Sequence, residues 1–327
     1  MGMLDSILKV NTDEMKAKRD LPALFKALSN RRNVYLRRDA AQALGEIGDA
    51  AAMEPLIGAL KDPKRDVRDA AVVAIGELGG DPRAVEVVAG NLQSGKSIER
   101  DEAASALGKM RHEAGMEYLL PALKDQDFFV RRSAAVSLGQ IGHPGAVEAL
   151  SQTLKDEDKD VREAAASALG DIGTAAAVAP LAQSLGDESA MVRYRAVESL
   201  GRIGGSGAVD ALVRALKDRG WINPPAGKGN QPNEKVWVRQ KAIEALAEIG
   251  DARSAAPIAE ALNDKQERVR QAAQTALQRL GVSIAASLSP VFDGDLQSAR
   301  GLPRDEPRNM IRTTDESNEN LEGGCRP

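Results

Sequence analysis

The sequence predicts an all-α chain, an α-solenoid in which about eight antiparallel helix pairs stack one on the next. Three observations lead there. A phrase of 13 residues returns about every 31 residues, and its apolar residues keep helical spacing. Aromatic residues, which strand-rich cores use heavily, are only 3% of the chain.

The phrase can be followed along the chain. LRRDAAQALGEIG ends at Gly48, VRDAAVVAIGELG at Gly79, ERDEAASALGKMR at Arg111 and VRRSAAVSLGQIG at Gly142. VREAAASALGDIG ends at Gly173, VRYRAVESLGRIG at Gly204, VRQKAIEALAEIG at Gly250 and VRQAAQTALQRLG at Gly281. Successive copies are 31 residues apart, except for one step of 32 and one of 46. Within a copy, Val161, Ala164, Ala165, Ala168, Leu169 and Ile172 fall on one stripe of a helix, helix B. Upstream, runs such as AMEPLIGAL (52–60) and AVEALSQTL (146–154) form a second amphipathic helix, helix A. Neither helix can bury its apolar stripe alone, so neighbouring pairs must stack, with axes in contact about 10 Å apart.

Glycine punctuates each unit. The one that closes the phrase, as at Gly142 or Gly173, suits a left-handed residue that stops helix B. An earlier one, as at Gly139 or Gly170, lies inside helix B, where it costs about 1 kcal/mol relative to alanine. The expected return is a close helix approach that a side chain would block. Asp62, Asp125, Asp156, Asp187 and Asp264 mark the turn from A to B.

The ends and one interior segment depart from the period. Residues 1–19, with Met3, Leu4, Ile7 and Leu8 apolar, are expected to form a helix that caps the first repeat. Residues 20–288 are the repeat body. Within it, the step of 46 places an inserted loop at 219–237, between Leu216 and Val238. Pro224, Pro225 and Pro232 forbid a continuous helix there, and insertions into solenoids often mark the binding face. Residues 289–327 have no lasting periodicity and a net charge of −3, and read as a disordered tail.

The phrase with its preceding turn, LKDEDKDVREAAASALGDIG, resembles the HEAT-like repeat of the phycobilisome-lyase type, and the likeness covers residues 20–281. The resemblance implies the solenoid fold. It says less about function, because scaffolds, adaptors and enzyme subunits all use such repeats. One function it implies is a subunit that attaches, detaches or handles a bilin on an antenna protein.

Few residues point to chemistry. One arginine opens each helix B: Arg37, Arg68, Arg100, Arg131, Arg162, Arg193, Arg239 and Arg270. A cation present in every unit carries repeat information rather than site information, so these are read as structural, pairing with turn aspartates or carbonyls of their own or an adjacent repeat. His112 and His143 are 31 residues apart, at a position where other units carry residues favoured at a helix N-cap. Stacking would hold the two rings roughly 10 Å apart, too far to share a metal. His112-Glu113 resembles the His-Glu pairs of HEAT-repeat hydroxylases of the deoxyhypusine type. That family needs several such pairs and this chain has one, so the hydroxylase reading is set aside. AGKGN (226–230) fails as a phosphate loop, having neither the glycine spacing nor a Ser/Thr after Lys228. The single cysteine, Cys325, has no partner for a disulfide within the chain. No catalytic set, cofactor site or metal site is nominated, and an enzyme is the less favoured reading.

The favoured function is a protein-interaction scaffold, binding a partner along the turn edge or the concave face. Trp221, Lys228 and Trp237 of the inserted segment, with Phe128, Phe129, Met191 and Tyr194, are the candidate partner-binding residues. Phe129, Met191 and Trp237 all lie two residues before the recurrent arginine of their units, and aromatics and methionine are typical of binding hot spots. Nucleic acid is disfavoured, because residues 1–288 balance 39 Lys/Arg with 40 Asp/Glu. The N-terminal residues lack a signal peptide's apolar core and no run reaches 18 apolar residues, so no membrane partner and a cytoplasmic location are expected.

Overall fold

The computed structural model describes residues 11–218 and 234–282, with side chains in the last stretch described from Trp237 onward. Residues 1–10, most of the inserted segment and the tail from residue 283, with Trp221, Lys228 and Cys325, lie outside the described residues. Among the described residues all regular structure is helical, and the fold is an α-solenoid.

Residues 11–17 are helical and precede the repeats. The first four pairs are α1 (Leu21–Leu28) with α2 (Val34–Ile47), α3 (Met53–Ala59) with α4 (Arg65–Glu77), α5 (Pro82–Ala89) with α6 (Ser97–Met110), and α7 (Gly115–Ala122) with α8 (Phe128–Ile141). The other four are α9 (Val147–Thr153) with α10 (Lys159–Ile172), α11 (Val178–Ser184) with α12 (Ala190–Ile203), α13 (Gly205–Ala215) with α14 (Glu234–Ile249), and α15 (Ala255–Glu260) with α16 (Glu267–Arg279). The first helix of each pair is short, 6 to 11 residues, and the second runs for 13 to 16.

The second helices carry the stack. Each packs along its neighbours of the same kind, whereas successive first helices touch more sparsely. Leu44, Ile75, Leu107, Leu138, Leu169, Leu200, Leu246 and Leu277, one from each second helix, are fully buried. They meet Leu24, Leu56, Leu119, Leu150, Leu181, Leu212 and Ile258 of the first helices in one continuous core.

The inner glycines explain how closely the second helices lie. A Cβ on Gly139 of α8 would stand 2.8 Å from the Cα of Ala168 on α10, and one on Gly170 would stand 2.5 Å from the Cβ of Ser199 on α12. The same approach lets two buried serines cross the seam. Ser137 Oγ donates to Ala104 O and Ser199 Oγ to Ala166 O, each at 2.8 Å, so the preceding helix satisfies both hydroxyls. At the helix ends, Gly142 and Gly173 take φ of +72° and +71°, while Arg111 fills the same position at φ +50°.

Two details differ from the sequence reading. The capping residues His143 and Asp251 start a single 3-10 turn, and helix A follows that turn rather than starting at the cap. The interruption in the seventh pair is shorter than 219–237, because α14 already begins at Glu234, just past Pro232. Trp237 therefore belongs to the first turn of α14. No helix among the described residues is long and apolar enough to cross a membrane.

Candidate protein-interaction face

The recurrent arginines form a ladder along the A–B turns. Arg162 donates from Nε to Asp187 Oδ2 at 2.8 Å and from Nη2 to Asp187 Oδ1 at 3.0 Å. Its Nη1 turns back to the carbonyl of Asp156 in its own turn, at 3.0 Å. The fork recurs from Arg37 to Asp62, Arg100 to Asp125, Arg131 to Asp156 and Arg239 to Asp264, always 25 residues on. Arg193 reaches Asp218 through longer contacts of 3.4 Å. The aspartate also caps its own turn, since Asp187 Oδ1 accepts the backbone N–H of Ser189. One carboxylate thus ties two repeats and a turn together.

Two rungs differ. Beyond Arg68, Ser94 stands where other units place the aspartate, so a 3.4 Å contact with Glu102 replaces the fork, while the bond to the Asp62 carbonyl is kept. Arg270 donates to the carbonyls of Asp264 and Lys265. The ladder also sets charge. The guanidinium of Arg100, opposed by partial burial and helped by the Asp127 N–H, holds Asp125 below the usual carboxylate range.

Both histidines accept backbone hydrogen bonds. His143 Nδ1 takes the N–H of Gly145 at 3.0 Å, and His112 Nδ1 takes that of Ala114 at 3.2 Å.

The residues two before the ladder arginines line the exposed side of the second helices. Phe129 is 47% exposed, Trp237 40% and Met191 37%, with Tyr35 and Ile98 also exposed at equivalent places. Helical geometry accounts for this: the ladder arginine turns into the stack, and the residue two earlier, about 200° away, faces out. Phe128 and Phe129 stack on each other, with ring centroids 4.0 Å apart, and the Arg132 guanidinium lies 5.4 Å from the Phe129 ring. This pair therefore sits apart, two units before the other candidates. Met191, Tyr194 and Trp237 come together instead. With Arg195, Gln240, Lys241 and Glu244, they line a depression of about 460 Å³ between α12 and α14.

A second depression, of about 400 Å³, continues the first between α14 and α16, with Gln240 and Glu244 shared between them. Arg268, Gln271 and Arg279 form its far wall. Arg268 holds in α16 the place that Trp237 holds in α14, two residues before the ladder arginine. The place of Arg279 in the groove shows only when the two helices are packed.

The HEAT repeats family model matches residues 21–108, 92–160, 147–222 and 231–292. No curated protein matches the chain in sequence. Several solved structures are similar. Human deoxyhypusine hydroxylase is 23% identical over 82% of this chain and 98% of its own, with a TM-score of 0.34. The YibA protein of Escherichia coli is 19% identical over 83% and 96%, with a TM-score of 0.48. The complex of CpcE and CpcF of phycocyanin lyase from Nostoc sp. PCC7120 is 20% identical over 80% and 94%, with a TM-score of 0.42. The recurrent phrase, the paired helices and a family match along nearly all of the repeat body lead to one assignment: the chain belongs to the HEAT repeat family.

Proposed function

We propose that this protein is an interaction scaffold that binds a partner protein on the exposed side of its second helices, centred on units six and seven. The observation that carries the reading is the grouping of Met191, Tyr194 and Trp237 around one depression, two of them more than a third exposed. Large apolar side chains left in water at the mouth of a groove lose exposed area when a partner covers them, and aromatic anchors dominate such interfaces. The segment inserted ahead of α14, with Trp221 and Lys228, belongs to this reading as an added recognition element, because the other seven units turn from A to B without it.

The test is affinity capture from native extract by three forms of the protein: intact, Trp237→Ala, and one with residues 221–233 replaced by a short A–B turn. The reading expects a defined partner that the first form captures and the other two lose, with helix content and melting temperature unchanged. Capture that survives both changes would contradict it. An antenna protein with its bilin as the captured species would move the protein to the lyase class.

A further inference from the structure

The grooves between α12, α14 and α16 differ in charge from the rest of the stack. These three helices carry nine basic residues against five acidic ones, whereas the five preceding second helices carry ten against eleven. Much of the basic charge is already used. Arg193 and Arg239 belong to the ladder, Arg195 is held by Glu163 and Glu198, and Arg202 pairs with Asp171. Arg268 and Arg279 are different: both are exposed, and neither has an ion-pair partner among the described residues. Both line the depression between α14 and α16, which shares Gln240 and Glu244 with the one beside Met191 and Trp237, where Lys241 pairs with Glu244 at 3.8 Å.

Resting on the reading above, we infer that the partner enters this groove as an extended acidic segment with a large apolar side chain. The apolar side chain would lie against Met191, Tyr194 and Trp237, and carboxylates on its flanks would take the forks of Arg268 and Arg279. The ladder shows what such a fork does in this protein, since five of its rungs hold a carboxylate through Nε and Nη2 together. A nucleic acid fits less well. Its closely spaced phosphates need a continuous basic track, and the carboxylate of Glu244 lines both depressions.

Selection of random twelve-residue peptides from a displayed library on the full chain tests this. The expected consensus has an aromatic residue or leucine flanked by Asp or Glu. A selected peptide should bind at least tenfold more weakly to Trp237→Ala, and tenfold more weakly at high salt. On the double variant Arg268→Glu/Arg279→Glu, the same library should yield Lys or Arg in the flanking positions. A basic consensus from the native chain, a consensus that ignores the double variant, or no enrichment above the Trp237→Ala background would overturn the inference. So would an oligodeoxythymidine that displaces the selected peptide and depends on Trp237 for binding. Affinity capture of a native partner keeps the two proposals separable. If capture still requires Trp237 while the library result fails, only the acidic chemistry falls; if neither requires Trp237, both fall.

Discussion

Arg162 and Asp187, 25 residues apart in sequence, meet through two hydrogen bonds of 2.8 and 3.0 Å, with both side chains about nine-tenths shielded from solvent. The pair joins the fifth repeat to the turn of the sixth, and its geometry recurs along the stack. Stability in this protein therefore includes an electrostatic seam beside the apolar one.

Breaking that seam from one side should be costly. Asp187→Ala takes the forked carboxylate from a nearly buried guanidinium, leaving it the exposed Glu188 as its only carboxylate, and should cost about 3 kcal/mol. Urea denaturation at neutral pH measures it. The double change Arg162→Met/Asp187→Leu should recover most of the loss, because it removes both charges and leaves apolar volume. A single-variant loss below about 1 kcal/mol would mean that the pair behaves as an exposed surface ion pair.

The ladder also predicts a direction for acid. Asp125 sits below the ordinary carboxylate range, chiefly because Arg100 donates to it. Its contribution is fully present above the unfolded carboxylate value of about 3.9 and is lost as pH falls through the lower folded value. Melting temperature should therefore fall steeply below about pH 4. Asp125→Asn should lower it at neutral pH and flatten the acid limb. A variant as steep as the native chain would contradict this assignment.

Glycine substitutions should separate packing from propensity. Gly139→Ala gains about 1 kcal/mol of helix propensity, yet its Cβ would lie 2.8 Å from the Ala168 backbone. A net loss of about 1–2 kcal/mol is expected. Gly58, within α3, has nothing within 4 Å of an added Cβ, so Gly58→Ala should be neutral or stabilising. Thermal melts of the two variants check this, and equal effects would contradict it.

The histidines should be replaceable. His143 accepts from the Gly145 N–H, a role that asparagine fills at least as well, so His143→Asn should shift stability by less than about 1 kcal/mol. A larger loss in chemical denaturation, or a bound metal lost with the change, would assign His143 another role.

The sequence made the stack legible because the constraint repeats. One alanine-rich stripe recurs in all eight copies, with the inner glycine in six and the closing glycine in seven, and that repetition exposes the pattern. Partner choice was less legible. Arg131, Arg162 and Arg193 each have one aspartate six residues before them and another 25 after, and sequence alone leaves both open. Stacking decides, giving the fork to the later aspartate and leaving only a backbone carbonyl from the earlier one. Ser137 and Ser199 were hidden for a similar reason, since a serine in an amphipathic helix reads as surface until the next helix covers it. The candidate residues were likewise divided by packing: Met191, Tyr194 and Trp237 share one depression, whereas Phe128 and Phe129 pair with each other.

The central claim is that Trp237 is held out for a partner. Calorimetric titration of the captured partner into the native chain and into Trp237→Ala, with a melt of each form, tests it most directly. The account predicts a loss of about 2 kcal/mol or more in binding and an unchanged melting temperature. Unchanged affinity with a lowered melting temperature would make Trp237 a packing residue and contradict the claim.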